Sequence, residues 1–176
     1  GSEMCIRDSI KKYPNVQHVI YDSISNSSAL DAFENSYGQR ALADYDFSLS
    51  NTIISIDADF MSDWQGGNYS SGWSKNRVPN KENEYSMSYH LQFESNMTLT
   101  GANADNRVMA NPSELRYVLQ SIYFDLTNQK YSGPALGPYL DRYVKLAVES
   151  IKKSGKKAVV ISVSYTHLRA HETMLH

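Results

Sequence analysis

The sequence predicts an α/β fold: a mostly parallel sheet with helices on both faces. Two observations predict it. Four short runs rich in β-branched and aromatic residues stand out along the chain, and segments with helical spacing lie between them. Strands that alternate with helices argue for layers in which the helices cover a parallel sheet. No internal repeat interrupts the alternation.

The first β-rich run is "QHVIYD" (17–22). In "SSALDAFENSYG" a serine can cap a helix start, Leu30 and Phe33 share a face, and Gly38 can end the helix. The second run is "TIISIDA" (52–58). It opens a stretch of some thirty residues (58–88) with little apolar periodicity, rich in Gly, Ser and Asn. Such long loops are functional, interface-forming or disordered. The third run, "YHLQFE" (89–94), is followed by "TGANADN", which suggests a tight turn before an edge strand "RVMA" (107–110).

The segment "NPSELRYVLQSIYFDL" carries the strongest helix signal. Asn111 can cap it, Pro112 takes the first helical position and Glu114 the third, a capping-box arrangement. Leu115, Val118, Leu119, Ile122 and Leu126 then form one apolar stripe. After "GP" (137–138), Leu140, Tyr143, Val144, Ala147, Val148 and Ile151 recur at helical spacing. "KKSGKK" closes that helix and leads into the fourth run, "KAVVIS" (157–162).

At 176 residues the chain fits one domain with a real core. A formal charge of −2 and a pI near 6.2 give no basic footprint, so no nucleic-acid partner is expected. No apolar run approaches the ~20 residues that span a bilayer, so no direct membrane span is expected. The single cysteine, Cys5, sits near the start, which leaves the rest without a disulfide, a thiol nucleophile or a thiolate ligand. The thirteen tyrosines are scattered, as expected of residues at the edges of a core.

The last residues, "SYTHLRAHETMLH", place His167 and His171 four apart, with Glu172 and His176 nearby. That spacing can hold zinc on one helix face, and a polar terminus can also carry histidines by chance. The segment "VSYTHLRAHET" also resembles translated sequencing-adapter read-through, a peptide recurring at broken ends of frames assembled from mixed environmental DNA. "GSEMCIRDS" resembles its companion. Residues 1–9 and 163–176 are therefore expected to be adapter-derived, and 10–162 to form the partial α/β domain.

In such a sheet ligands lie beyond the carboxyl ends of strands. Asp57, Asp59 and Asp63 follow the second run. Carboxylates there can hold a hard cation, serve as acid and base, or accept from a ribose; they also commonly cap backbone amides or face water. "QGGNYSSG" lacks both phosphate-loop spacings. Ser23, Ser25, Ser27 and Ser28 lead into a helix start that could receive an anion, though capping alone explains them. His18 and His90 have no Cys or His at ligand spacing and read as packed or surface residues. The "N-x-[ST]" matches at Asn26, Asn68 and Asn96 carry little weight in a chain so rich in Asn and Ser.

The succession "YGQRALADYDFSLSNTIISIDADFMSDWQGG" and "HLQFESNMTLTGANADNRVMANPSE" resembles the molybdopterin-oxidoreductase domain, in the variant found in the large iron–sulfur subunit of alternative complex III, a bacterial quinol-oxidising respiratory complex. The resemblance covers nearly all of 10–162. Where the wider family has a Gly-Ala-Asn-Pro-like turn, this chain has Asp57-Ala58-Asp59-Phe60; "TLTGANADNRV" (98–108) and "NPSE" (111–114) stand at the later motifs. Carboxylates at those turns repel the phosphates of a pterin dinucleotide and add bulk where glycine would let it approach. The resemblance therefore implies a former pterin-pocket edge at Asp57, Asp59, Ser95 and Asn96, with no catalytic and no metal-ligating residue. It implies a non-catalytic scaffold with no cofactor of its own, iron–sulfur clusters in a downstream part of the parent, and a location on the periplasmic side of the inner membrane. The implied partners are other subunits of a membrane-associated respiratory complex, among them a cytochrome c-like subunit, with cytochrome c or a copper protein as acceptor. The alternatives are the cofactor-binding domain of a catalytic molybdopterin oxidoreductase and a free-standing nucleotide-binding module.

Overall fold

The computed structural model of the chain describes residues 3–19, 27–62, 64, 69–81 and 84–163. Among them, four parallel strands form one sheet in the order β3-β2-β1-β4. They are β1 (Thr52–Ile56), β2 (Tyr89–Glu94), β3 (Asn106–Met109) and β4 (Ala158–Ser162). The register sets Thr52 beside both Tyr89 and Ala158, and Leu91 beside Asn106. β1 is buried throughout, as a strand rich in β-branched residues between two neighbours and two covered faces must be.

The helices are α1 (Glu3–Lys12), α2 (Ser27–Tyr37), α3 (Tyr69–Lys75), α4 (Leu99–Ala102), α5 (Pro112–Thr127) and α6 (Pro138–Ser154). From β1 to β3 the chain steps in one direction, and β3 to β4 crosses back over the whole sheet. With right-handed connections, that reversal puts α3 on one face and the α5/α6 pair on the other. The two cores show it. Ile54, Ile56, Leu91, Phe93 and Val108 pack against Leu115, Val118 and Ile122 of α5 and Val144, Ala147 and Ile151 of α6. Ile53 and Ile161 face the opposite way, into Phe47, Phe60, Trp64 and Tyr69. Each large buried apolar side chain contributes about 1.5–3 kcal/mol. Among the described residues fourteen are buried on the α5/α6 face against seven on the other, so that face holds the larger group of buried apolar residues.

α5 starts as its sequence predicts. Glu114 accepts the Asn111 backbone N–H at 2.8 Å, Pro112 fills the first turn, and Asn128 ends the helix in the left-handed conformation (φ 53°). Gly38, also left-handed (φ 71°), closes α2 by donating its N–H to Glu34 O at 2.7 Å.

Several expectations are corrected. Residues 17–19 form no strand, because no neighbour pairs with them, and 20–22 lie outside the described residues. β1 ends at Ile56, where Asp57 turns left-handed, and β4 begins at Ala158 after a 3-10 turn. The stretch 58–88 is not wholly irregular, for it holds α3. "TGANADN" is no simple tight turn: it begins within α4, capped by the Thr98 hydroxyl, which accepts the Gly101 N–H at 3.0 Å.

Candidate functional site

The carboxyl ends of β1 and β2 bring together the acidic residues that the sequence points to. Asp57 directly follows β1 with φ 58°, a conformation more natural to glycine. Its N–H extends the ladder to Phe93 O at 2.7 Å, and its Oδ1 lies 3.5 Å from the Ser95 N–H. Burial pushes the Asp57 carboxyl up from the usual carboxylate range; the Ser95 amide opposes this and the Glu94 charge adds to it. Two residues on, Asp59 Oδ1 accepts from the Thr100 N–H at 3.1 Å and the Thr100 hydroxyl at 2.7 Å. Thr100 Oγ1 in turn accepts the Met61 N–H at 3.0 Å. The loop after β1 is thus laced to α4. Asn96 is exposed next to Ser95.

Glu94, the last residue of β2, is fully buried beneath α4. Its Oε2 accepts the Thr98 hydroxyl at 2.6 Å, and its Oε1 takes the Thr98 N–H at 3.3 Å and pairs with Arg107 Nε of β3. A Cβ at position 101 would overlap this carboxylate, so Gly101 lets α4 lie directly on it. Glu94 thus spends both of its oxygens, and Asp59 its Oδ1, on the neighbouring loop and strand. Among the described residues no three His, Cys, Asp or Glu side chains converge as a metal site.

The same face of β2 carries a second feature. His90, Gln92 and Glu94 alternate with Leu91 and Phe93, and all three are fully buried. Neither ring nitrogen of His90 has a hydrogen-bond partner, nor do Gln92 Oε1, Trp73 Nε1 and Ser88 Oγ. The His90 ring rests between Phe60 (centroids 5.3 Å apart) and Trp73 (6.2 Å). Burial lowers its pKa to about 4, so the ring is neutral at pH 7; Gln92 and Asp105 favour the charged form slightly and Arg77 disfavours it.

Arg77 locks the rim of this strip. It grips Asp105 with two bonds of 2.6 and 2.8 Å, donates to Ser88 O at 2.5 Å and lies over the Trp73 ring at 5.1 Å. Asp105 also accepts the His90 backbone N–H at 2.7 Å, and these donors hold its carboxyl below its ordinary pKa against the desolvation of the site.

Of the other candidates, His18 is exposed. Ser27 opens α2 and Ser28 follows it in the helix. Asp63, Ser23, Ser25, Asn26, Asn68, residues 65–67 of the glycine stretch, and His167, His171, Glu172 and His176 lie outside the described residues. Sequence reasoning did not single out Glu94, Thr98, Thr100 or Arg107. A glutamate closing a strand, followed by Thr-x-Thr, is the one signal that could have found them.

No family model matches the chain, and no curated protein matches it.

Proposed function

We propose that the chain is a non-catalytic scaffold domain of the large iron–sulfur subunit of an alternative complex III-like respiratory complex. That complex oxidises quinol on the periplasmic side of the inner membrane and passes electrons to a cytochrome c-like or copper-protein acceptor. The observation that carries the reading is the turn at 57–60. Asp57 takes a backbone conformation suited to the glycine that the resembled family has there, and Asp59, at the asparagine position, is tied to Thr100 of the next loop.

A pterin dinucleotide fits this turn poorly. Its phosphates would approach Asp57 and Asp59, whose charges repel them, and the Asp59–Thr100 contact occupies groups that could otherwise face a ligand. No catalytic step is therefore assigned to it. Met97 just before α4, Leu99 within it and Met109 at the end of β3 are exposed and give the domain apolar surface for a neighbouring subunit. Metal analysis of the full-length subunit, purified within its complex, tests the reading. Molybdenum and tungsten are expected to be absent; a stoichiometric amount of either overturns the scaffold role in favour of a catalytic molybdopterin oxidoreductase.

One observation favours a different class, a nucleotide-binding module. The strand order reverses between β1 and β4, and α/β sheets bind ligands outside the carboxyl ends at such a point. Saturable binding of a mononucleotide to the chain would support that reading against the scaffold.

A further inference from the structure

The two ends of the sheet differ in charge. Asp57 and Asp59 follow β1 at its carboxyl end. At the amino-terminal end the chain instead gathers lysines: Lys152 and Lys153 close α6, and Lys156 and Lys157 lie in the turn that leads into β4, all four exposed. We propose that this amino-terminal end is a docking surface for a membrane that bears anionic lipid headgroups. The proposal stands on the residues of this end and is independent of the scaffold role.

Hydrogen bonds fix which segments share that end. Asn51 donates its N–H to Lys157 O at 2.7 Å, and Tyr89 donates its own to Asn51 O at 2.8 Å, so the entries to β1, β2 and β4 lie side by side. Thr52 Oγ1 and Ser154 Oγ, 2.8 Å apart, tie the end of α6 to the start of β1. Asn76, just past α3, donates to Ser48 O and Ser50 O at 2.5 and 3.2 Å, and its carbonyl accepts the Ser88 N–H at 2.9 Å. These ties bring Leu49, Val78, Tyr85 and Met87 to the same end as the lysines, and each of the four is more than half exposed.

Basic side chains set among exposed apolar ones suit a bilayer surface. Lysine ammonium groups attract lipid phosphates, and apolar side chains enter the boundary between headgroups and acyl chains. Tyrosine fits that boundary because its ring is apolar and its hydroxyl polar. The backbone that presents Tyr85 is strained: Glu84 and Tyr85 are both left-handed (φ 54° and 58°), in a turn closed by the Tyr85 N–H on Asn80 O at 2.8 Å. Lysines in a last helical turn also complement the helix dipole, which accounts for Lys152 and Lys153 but not for Lys156 and Lys157 beyond it. Among the described acids near this end, Asp105 is held by Arg77, and Asp46 by the amide and hydroxyl of Ser48. That leaves Glu84 and Glu149 against the four lysines, which Lys75 at the end of α3 joins. With this end on the membrane, Asp57 and Asp59 face away from the anionic surface, so the same separation of charge orients the domain.

The test is flotation of the 176-residue chain with phosphatidylcholine vesicles, with and without phosphatidylglycerol. Binding is expected only where phosphatidylglycerol is present, and it should fall as salt is raised, because salt screens the attraction. Each lysine near such a surface strengthens binding about fivefold, so Lys156→Gln combined with Lys157→Gln is expected to weaken it about twentyfold. Leu49→Ser should weaken it as well, through lost insertion. These positions are exposed, so the thermal midpoint should stay in place. Arg116→Gln, on the α5 turn that follows the carboxyl end of β3, and Lys11→Gln with Lys12→Gln, on α1, should leave binding unchanged. Equal binding to both vesicle types, binding to neither, or control variants that weaken binding as much as the lysine pair would each overturn the proposal. Saturable binding of poly-L-glutamate without binding to the anionic vesicles would overturn it too, and would assign this end to an acidic protein.

Discussion

Asp59 and Thr100 are joined twice by one oxygen: Asp59 Oδ1 takes both the backbone N–H and the hydroxyl of Thr100, at 3.1 and 2.7 Å. Thr100 is fully buried, so its amide has no water to turn to. Asp59→Ala is expected to lower stability by about 1–3 kcal/mol, the cost of a stranded buried donor. Asp59→Asn, which keeps a carbonyl oxygen, should lose less. Urea unfolding of both variants checks the order, and equal midpoints for the two would contradict it.

Gly101→Ala sets two effects against each other. Alanine favours a helix over glycine by about 1 kcal/mol. Here its methyl would collide with the Glu94 carboxylate, which Thr98 and Arg107 hold in place. Overpacking of this kind costs about 1–3 kcal/mol, so the variant is expected to be less stable than the parent. A raised thermal midpoint would show that Glu94 can move aside.

His90 gives stability a defined pH dependence. Its folded pKa, about 4, lies below the ordinary 6.5, so between these values the unfolded chain binds more protons. The stability associated with the neutral ring is complete above pH 6.5 and falls as the pH drops, with the slope ending near pH 4, a total of up to about 3 kcal/mol. Asp105, held down by Arg77 and the His90 amide, acts in the same sense at lower pH. Asp57, pushed up by burial, acts in the opposite sense and recovers some stability as it protonates. His90→Phe should flatten the profile between pH 4 and 6.5; an unchanged slope would assign it to other groups.

Arg77→Lys keeps the charge and loses the two-pronged grip on Asp105. A loss of about 1–2 kcal/mol is expected, since the pair is largely shielded and Arg77 also holds Ser88 O. In a double-mutant cycle with Asp105→Asn, the coupling should exceed the 0.2–1 kcal/mol typical of exposed pairs.

Much of the framework could be read from local chemistry. The β-branched run at 52–56, the box around Asn111 and Glu114, and the apolar spacing of 140–151 each express a local preference that the sheet then uses. α3 escaped notice because only Tyr69 and Trp73 mark its buried side and Gly72 interrupts it. The site was harder still. "HLQFE" alternates as a strand with one face in water does, yet α3, α4 and Phe60 cover that face, and His90, Gln92 and Glu94 are buried. Periodicity gives the spacing of a face; what covers it depends on segments far away in the chain. The Asp59–Thr100 tie is such a long-range event, and only the acidic end of it was visible beforehand.

The place of β4 bears on how the molecule is made. β1, one of the two inner strands, meets one neighbour in β2 soon after it is synthesised, but its other neighbour, β4, comes only at 158–162. While α5 and α6 are still leaving the ribosome, Ile53, Ile54 and Ile56 sit on a strand with one bare edge. Nascent chains stalled before residue 158 are the ones that a chaperone should hold, and release from it should coincide with the emergence of β4.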